Sequence, residues 1–394
     1  MNYYERAKQI HDEMINNRRY IHRNAEVGME LPNTTKFIIE KLTEMGYEPK
    51  EICKSGVMAS IGKEGGKVIL LRGDMDALPM KEESGLDFAS ITNAAHTCGH
   101  DLHATMLLGA AKLLKENEDQ LEGTVKLMFQ PGEEIFQGAK AMISGGILEN
   151  PKVDAALAYH VGAGRIPTGL YMYNNENTMM FSNDGFKITV KGLGAHGSYP
   201  EHSIDPINIA AHICISLQEL IAREVSPSKQ CVLTIGSINA GTAPNIIPEM
   251  ALIQGSIRTD CPEVREFLVE RMKEVSIKTA EVFRGTATVE MISEVSPLIC
   301  NPEFTNEIIK YMNELPVPGM NGIPKIQASA SDDFAEILER VPGAYMFISA
   351  GFPEEAESYP SHNPKVKFNE DVLPFGAAAL AHCATQWLKA HKDC

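Results

Sequence analysis

Three short apolar runs in this chain each end in charged or metal-binding side chains. The runs are Val68–Leu71, Thr124–Phe129 and Val153–Tyr159, and they lead to Asp74 and Asp76, to Glu133 and Glu134, and to His160. Val68–Leu71 is apolar on both faces, as expected of a strand sandwiched between helices. Ligands of open α/β sheets bind beyond the carboxyl ends of the strands. The alternation of strands with helices therefore predicts an α/β domain with its functional site at this edge.

The stretch from His96 to His103 contains three imidazoles, one thiol and one carboxylate. Apolar residues spaced three and four apart from Leu102 to Leu114 predict that it runs into a helix. Cys98 and His100 then lie in the turn before the helix, where the helix dipole favours a thiolate. Thiolate and imidazole suit zinc or a neighbouring transition metal. The alternative, a buried free cysteine beside surface histidines, is disfavoured because further candidate ligands follow downstream.

The sequence pattern changes near residue 180, where Phe186, Ile188 and Val190 alternate with polar residues. This alternation indicates a strand with one buried face. We predict that a helix (206–222), two strands (231–238 and 250–258), a helix (262–283) and a strand (287–292) follow it. This βαββαβ order is the split ferredoxin-like arrangement, about 110 residues long. We therefore predict an inserted α+β domain over 185–294, within a catalytic domain formed by 1–184 and 295–394.

The remaining predicted elements belong to the catalytic domain. A helix is predicted over 3–21, and Asn33 is predicted to cap a second helix that ends at Gly46. After the inserted domain we expect a helix over 303–314, a strand over 344–349 and a closing helix over 372–389. His362 lies in the long loop before that last helix.

Composition excludes several classes of function. The chain has 394 residues, 44% of them hydrophobic, and 36 basic against 52 acidic residues give a net charge of −16. This charge argues against nucleic acid or an anionic membrane as a partner. No apolar run approaches the roughly 18 residues of a membrane span, and Met1–Arg6 carries no apolar signal segment. The eight cysteines are irregularly spaced, so we expect mostly reduced thiols and a cytoplasmic protein.

Five residues are candidate metal ligands: Cys98, His100, Glu134, His160 and His362. They can hold two metal ions only if one ligand is shared, through a bridging thiolate or a bridging water, with the ions about 3.5–4 Å apart. Of two adjacent glutamates, one can coordinate metal while the other takes the proton of an attacking water. We assign Glu133 as the base and Glu134 as the ligand, although spacing alone does not decide between them.

These motifs resemble those of the di-metal aminoacylase/carboxypeptidase family, in its branch of hippurate hydrolases, N-acyl-amino-acid amidohydrolases and auxin-conjugate hydrolases. The matching segments, in the family's order, are 73–79, 96–103, 129–134, 194–197, 243–248 and 362–363. The resemblance implies an exopeptidase-like mixed-sheet catalytic domain with a lid domain that forms a homodimer interface. It also implies the five ligands above, Glu133 as general base and Asp76 as the acid that orients the site.

The resemblance further implies that His196, Asn245 and Arg258 in the lid contact the substrate. His196 would donate to the developing oxyanion, while Asn245 and Arg258 would hold the substrate carboxylate, Arg258 by a two-pronged contact. Without the family, an ordinary salt bridge is an equal alternative for Arg258.

Three positions depart from the wider family pattern. Asp74 stands where the wider family has a histidine ligand, and Cys98 stands where it has a bridging aspartate. Both departures fit the amidohydrolase branch. The acidic segment 331–334 carries aspartate where a glutamate is expected, and its role is left open.

We therefore predict a di-metal amidohydrolase that cleaves N-acyl-L-amino acids to a carboxylate and a free amino acid. Its cofactors would be two divalent ions per subunit, Zn²⁺ being favoured over Mn²⁺, Ni²⁺ and Co²⁺. The alternatives are a dipeptidase or carboxypeptidase of the same fold, and a metal-binding protein without turnover. The predicted partners are a small acyl-amino-acid substrate and a second copy of the chain.

Overall fold

The computed structural model describes residues 1–353 and 358–393. The chain divides into two compact units. The first contains residues 1–179, 299–327 and the part from 332 onward, and the second contains 180–298 and 328–331.

Helices and strands alternate through most of the first unit, as predicted. The strands of the chain are β1 (Lys50–Cys53), β2 (Gly56–Gly62), β3 (Lys67–Asp74), β4 (Gly123–Gln130), β5 (Ala155–Pro167), β6 (Leu170–Met172), β7 (Thr178–Met180), β8 (Asn183–Lys191), β9 (Ala195–His196), β10 (Cys231–Ala240), β11 (Ile246–Ile247), β12 (Met250–Thr259), β13 (Thr286–Val295), β14 (Leu298–Ile299), β15 (Asn321–Ile323) and β16 (Gly343–Gly351). The helices are α1 (Tyr3–Gln9), α2 (His11–Arg23), α3 (Pro32–Glu44), α4 (His100–Lys115), α5 (Gly138–Ser144), α6 (Pro206–Glu219), α7 (Pro262–Val282), α8 (Pro302–Glu314), α9 (Ala335–Leu338) and α10 (Val372–Ala390).

The first unit is built on a mixed sheet with the strand order β1-β2-β4-β3-β5-β16-β6-β15. The central strands β4, β3, β5 and β16 are parallel, whereas β2 is antiparallel to β4 and β6 is antiparallel to β16. Every residue of β4 is buried, as is all of β3 except its first residue. This burial on both faces confirms the predicted α/β class.

The parallel strands bring the predicted site segments to one edge of the sheet. Asp74 ends β3, and Glu133 follows β4 after a short turn. His160 differs from the prediction because it lies within β5 and not after it. The strand continues because His160 pairs with Phe347 of the parallel strand β16.

Two predictions near the amino terminus are wrong. The predicted helix over 3–21 is two helices, because Ile10 leaves helical geometry at φ −103° and ψ 12°. Ile10 is buried, and α1 packs mainly on α10 whereas α2 packs on α4, so packing against different helices favours the break.

Asn33 does not cap the second helix, because α3 already begins at Pro32. The carboxylate of Glu26 takes the capping role instead, accepting from the backbone N–H of Asn33 at 3.1 Å and of Thr34 at 2.9 Å. The helix end is therefore satisfied from a different segment of the chain.

The second unit contains a four-stranded antiparallel sheet in the order β10-β12-β8-β13. Its helices α6 and α7 pack on the sheet around a core that includes Phe186, Ile213 and Leu268. The succession β8-α6-β10-β12-α7-β13 has the predicted βαββαβ order. The predicted helix over 206–222 ends at Glu219 and continues as a π-helical turn over Leu220–Glu224. The role of this unit as a lid and dimerisation domain stays a prediction.

Two general expectations can be compared with the structure. Among the described residues, no helix is long and apolar enough to cross a lipid bilayer. The described cysteines, seven of the eight, are free thiols; Cys394 lies outside the described residues.

Candidate metal centre

The turn that contains Cys98 and His100 depends on Gly99. Gly99 precedes the first residue of α4 and has φ +91°, a conformation that favours glycine. A Cβ at this position would also collide with the side chain of Val161 and lie 3.2 Å from the ring of Phe368. The turn points the Cys98 sulfur and the His100 ring into one buried pocket.

The five predicted ligands form two groups that share a single sulfur atom. One group is Cys98, His100 and His160, the other is Cys98, Glu134 and His362, and the ligand atoms within each group lie within 4.8 Å of one another. The Cys98 sulfur is 3.3 Å from Nε2 of His160 and 3.3 Å from Nε2 of His362. The structure thus brings all five predicted ligands together around the Cys98 sulfur.

The tautomer of His160 follows from its hydrogen bond. Its Nδ1 lies 2.8 Å from the carbonyl oxygen of Val161, which can only accept, so Nδ1 carries the proton. Burial is the main factor that lowers the pKa of His160 well below its ordinary value and keeps the ring neutral. Nε2 therefore presents a lone pair toward Cys98, as a metal ligand must.

His103 and Asp74 lie beside this pocket but are already engaged. Nε2 of His103 accepts from the backbone N–H of Val161 at 2.8 Å, so its protonated Nδ1 donates to Asp74 at 2.5 Å. The other Asp74 oxygen pairs with Arg72 at 2.7 Å. Neither ring nitrogen of His103 is left for a metal, and its contact instead fixes the backbone next to His160.

Asp76 holds the two adjacent glutamates in place. Its carboxylate accepts from the backbone N–H of Glu133 at 3.0 Å and of Glu134 at 3.2 Å. It also lies 3.6 Å from Nδ1 of His100. The orienting role that the resemblance implies for Asp76 stays a prediction.

The two glutamates differ in their surroundings. Oε1 of Glu134 lies 3.5 Å from Nε2 of His362, whereas Glu133 lies with Asp332 and Asp333 in a cluster of carboxylates. Burial, followed by the charges of Asp332 and Glu134, raises the pKa of Glu133 well above its ordinary value. A raised pKa is typical of a carboxylate that accepts a proton during catalysis.

The pocket is suited to a cation. His100 is fully buried, and among the described residues neither of its ring nitrogens has a hydrogen-bond partner; the same is true of Oε1 of Glu134. Buried polar atoms are normally hydrogen-bonded, so these atoms are available as ligands. Burial raises the pKa of the Cys98 thiol and outweighs the lowering effect of the neighbouring His100. A bound cation would offset this cost, because thiolate is the form that coordinates metal.

His362 is held in a strained backbone conformation. It has φ +66°, which is unusual for a residue other than glycine, and its N–H donates to the carbonyl of Thr97 at 2.9 Å. This bond ties the His362 loop to the residue before Cys98. Strain of this kind is found preferentially at functional sites.

The three predicted substrate contacts all belong to the second unit. His196 forms the short strand β9, which pairs with β11 through Ile246, and Gly197 donates to the carbonyl of Asn245 at 2.9 Å. His196 and Asn245 are therefore neighbours. Arg258 lies on β12 in the four-stranded sheet, where its guanidinium donates to Ser331 Oγ at 3.0 Å and to the Ser329 carbonyl at 3.3 Å.

Sequence reasoning left a second buried network without a role. Arg72 donates from Nε to Gln130 at 3.0 Å and from its terminal nitrogens to Asp332 at 3.0 and 3.2 Å. Tyr345 adds a hydrogen bond to Asp332 at 2.8 Å. Arg72 and Gln130 lie near the carboxyl ends of the buried strands β3 and β4. Polar residues at these positions were a sequence signal for this network.

Comparison with known proteins shows similarity over nearly the whole chain. The profile of peptidase family M20/M25/M40 matches residues 70–386. Thermostable carboxypeptidase 2 of Saccharolobus solfataricus is 35% identical, over 97% of each protein. The N-acetyl-L-cysteine deacetylase of Bacillus subtilis is 34% identical, over 98% of this chain and 90% of that protein. The hippurate hydrolase of Campylobacter jejuni is 36% identical, over 94% of this chain and 96% of that protein.

A solved structure is also similar. The Bacillus subtilis YXEP protein, described as a dinuclear metal binding peptidase from the M20 family, superposes with a TM-score of 0.81 at 30% identity. The match covers 97% of this chain and 99% of that chain.

Proposed function

Because this chain belongs to peptidase family M20/M25/M40, we propose that it is a metal-dependent amidohydrolase that cleaves N-acyl-L-amino acids. The products are a carboxylate and a free amino acid. The observation that carries the proposal is the pair of ligand groups that share Cys98, with the buried carboxylate of Glu133 beside them. Relatives named hippurate hydrolase and N-acetyl-L-cysteine deacetylase support this substrate class.

Two divalent ions are the proposed cofactors. His100 and His160 would hold one ion, Glu134 and His362 the other, and the Cys98 thiolate both. Bound divalent ions polarise a substrate carbonyl and lower the pKa of water. The mixed sulfur, nitrogen and oxygen ligands favour Zn²⁺, with Mn²⁺, Ni²⁺ and Co²⁺ as alternatives.

Glu133 is the proposed general base. It would take the proton of the attacking water and pass it to the nitrogen of the leaving amine. Asp76 holds the Glu133 backbone and so directs its carboxylate. His196 would donate to the developing oxyanion, and Asn245 and Arg258 would bind the substrate carboxylate.

A substrate panel tests this proposal. Acetyl-, benzoyl- and indole-acetyl-amino acids are incubated with the metal-loaded protein, and the released amine is measured. We expect release from at least one series, loss of activity on chelation, and recovery with added metal. Full activity in thoroughly metal-stripped protein would contradict the di-metal mechanism.

A dipeptidase or carboxypeptidase activity is the second candidate, because one relative is named a thermostable carboxypeptidase. A dipeptide is also an N-acyl amino acid, but its free α-amino group requires an acidic partner. Faster cleavage of dipeptides than of acetyl-amino acids in the same panel would favour this alternative.

We also propose that the second unit forms a homodimer through β10. This strand lies at an edge of its sheet, contains no charged residue, and exposes Val232 (50%) and Ile238 (52%). Edge strands that remain unpaired are usually protected by charges or proline. An uncharged edge of ten residues supports pairing with the same strand of a second copy.

In such a dimer, we propose that His196 acts on the site of the other subunit. The test mixes two inactive variants, His196→Ala and Glu133→Gln, and allows their subunits to exchange. Activity should reappear, because one site in each mixed dimer then has both residues intact. Absence of activity despite demonstrated exchange would show that His196 acts within its own chain.

A further inference from the structure

The loop that contains the proposed base is anchored at both ends by a buried carboxylate. We define the base loop as residues 131–138, from the end of β4 to the first residue of α5. Asp333 is fully buried and accepts from the backbone N–H of Ala139 at 2.9 Å, just where the base loop ends. Its other oxygen accepts from the side-chain amide of Gln130 at 2.6 Å, just where the loop begins. One carboxylate thus closes the loop at both ends.

The orientation of the Gln130 amide is fixed by its neighbours. Its oxygen accepts from Nε of Arg72 at 3.0 Å, so its nitrogen faces Asp333. The terminal nitrogens of Arg72 contact Asp332 and Asp74, and Nε is the nitrogen that donates to Gln130. The Gln130 amide therefore accepts from Arg72 through its oxygen and donates to Asp333 through its nitrogen.

The base loop has little freedom to compensate if this anchor is lost. Gly138 donates to the carbonyl of Gly132 at 3.1 Å, so the loop is closed on itself. A Cβ at Gly138 would collide with the Pro131 carbonyl and lie 2.8 Å from the Gln130 amide nitrogen. On the opposite side, Asp76 holds the backbone of Glu133 and Glu134.

We infer that Asp333, acting with Gln130, is a positioning residue that sets the place of the Glu133 carboxylate. Asp333 acts through the loop and not on metal or substrate: it holds the two ends of the base loop and thereby the base. The inference gives a role to the acidic segment 331–334 and rests on the proposed function of the site. A shift of about 1 Å in a catalytic group can cost roughly 10²-fold in rate.

The test moves the carboxylate from one member of the pair to the other. In Asp333→Asn, the single amide oxygen can accept from only one of the two donors, so the amide nitrogen opposes either the Gln130 amide nitrogen or the Ala139 N–H. In Gln130→Glu, two carboxylates oppose each other. In the double variant, the new carboxylate at position 130 accepts from Arg72 and from the new amide, whose oxygen still accepts from Ala139. Net charge and hydrogen-bond pattern are both restored.

We expect each single variant to lose about 10²-fold in kcat with little change in KM. The double variant should recover most of that loss. Amide hydrogen exchange provides a readout that does not require activity: the base-loop peptide should exchange faster in the single variants and return toward wild type in the double variant.

Asp154→Asn is the matched control. Asp154 also accepts from a backbone N–H, that of Val68 at 2.8 Å, and from a side-chain amine, that of Lys67 at 3.1 Å. It lies at the amino ends of β3 and β5, away from the base loop. Its replacement should leave kcat and base-loop exchange unchanged.

Three outcomes would overturn the inference. The double variant could be as slow as the single variants, it could fail to fold, or the single variants could lose only thermal stability while kcat and base-loop exchange stay normal. If the wild-type protein cleaves no acyl-amino acid, the proposed function fails, and the exchange measurements still test whether Asp333 and Gln130 hold the loop.

Discussion

The candidate metal ligands and the predicted substrate contacts are held in different ways. In the first unit, His100 is fully buried and His160 has its tautomer set by a backbone carbonyl. In the second unit, His196 is exposed, and it lies on a strand of two residues. Buried, hydrogen-bonded groups keep their geometry before a ligand arrives, whereas short exposed segments with few contacts open easily. The comparison indicates that the pocket around His100 and His160 is preorganised and that the segment of His196 is adjustable.

Replacing the proposed base should cause the largest loss of kcat among the predicted changes. Glu133→Gln should keep its fold and metal content but lose at least about 10²–10⁴-fold in kcat, because an amide cannot accept the proton of water. Steady-state kinetics and metal analysis of the same sample check this. Glu134→Gln is the control and should lose metal, because Glu134 lies 3.5 Å from His362. The reverse result would exchange the two assignments.

Replacing the shared thiol should affect both metal ions together. Cys98→Ser puts a neutral hydroxyl where a thiolate is required, so metal content should fall from two ions toward none. His160→Ala should lower the metal content from two ions toward one, because His160 belongs to only one of the two groups that share Cys98. Elemental analysis after gel filtration measures both.

The control for this experiment is Cys300→Ser, because Cys300 is another buried thiol and donates to the carbonyl of Tyr345. Its metal content should be unchanged. A thiol reagent should label Cys98 only after the metal is removed; equal labelling with and without metal would place the sulfur outside the ligand set.

In the second unit, the expected effect of replacing Arg258 is on substrate binding. Arg258→Ala should raise KM about 10- to 100-fold with little change in kcat, since hydrogen bonds to charged groups contribute about 1.5–3 kcal/mol. Arg271→Ala is the control: this arginine of α7 pairs with Glu224 at 2.8 Å and should leave KM unchanged. A fall in melting temperature with normal KM would mean that Arg258 has a purely structural role.

The smallest effect concerns stability at acid pH. Burial opposes ionisation of Glu82, but hydrogen bonds and charge from His22 outweigh it and lower the pKa of Glu82 to about 2. His22 in turn bonds Asp101, next to the candidate ligand His100, at 2.8 Å. A depressed carboxylate pKa stabilises the fold above the ordinary value of 4.5, and this stabilisation is lost as pH falls toward about 2.

Glu82→Gln should therefore lower the free energy of unfolding at neutral pH by about 1–3 kcal/mol, which is measured as a lower melting temperature. The difference from wild type should shrink as pH falls from about 4.5 to 2. Glu224→Gln, at the surface of the second unit, should change stability by less than about 0.5 kcal/mol. A pH-independent difference for Glu82→Gln would show that its charge does not contribute.

What could be predicted from sequence depended on how local the determinants are. The turn before α4 carries its own signals in Cys98, Gly99 and His100, and the buried strand β3 reads directly as an apolar run. Local sequence did not predict the cap of α3, because Glu26 accepts from the helix N–H groups from outside the helix. It also did not predict the break at Ile10, because α1 and α2 pack on different helices.

The same distinction holds within the site. The ligands were recognisable because thiol and imidazole at short spacing point to metal chemistry. The proposed role of Asp333 was not recognisable from the sequence, because its partner Gln130 is 203 positions away. Arg72 and Asp332 are 260 positions apart, and only the folded sheet pairs them. Long-range partners of charged residues are set by topology, which the local pattern does not contain.

The interrupted course of the first unit has a consequence for biosynthesis. Cys98 and His362 are 264 residues apart, and β16, which lies between β5 and β6 in the sheet, is made only after the second unit. At about 5–20 residues per second, the ribosome needs roughly 10–50 s to pass from one ligand to the other. The second unit is almost continuous in sequence and can fold during that interval. The second group of candidate ligands therefore cannot form on the nascent chain before His362 is made, which is after the whole second unit.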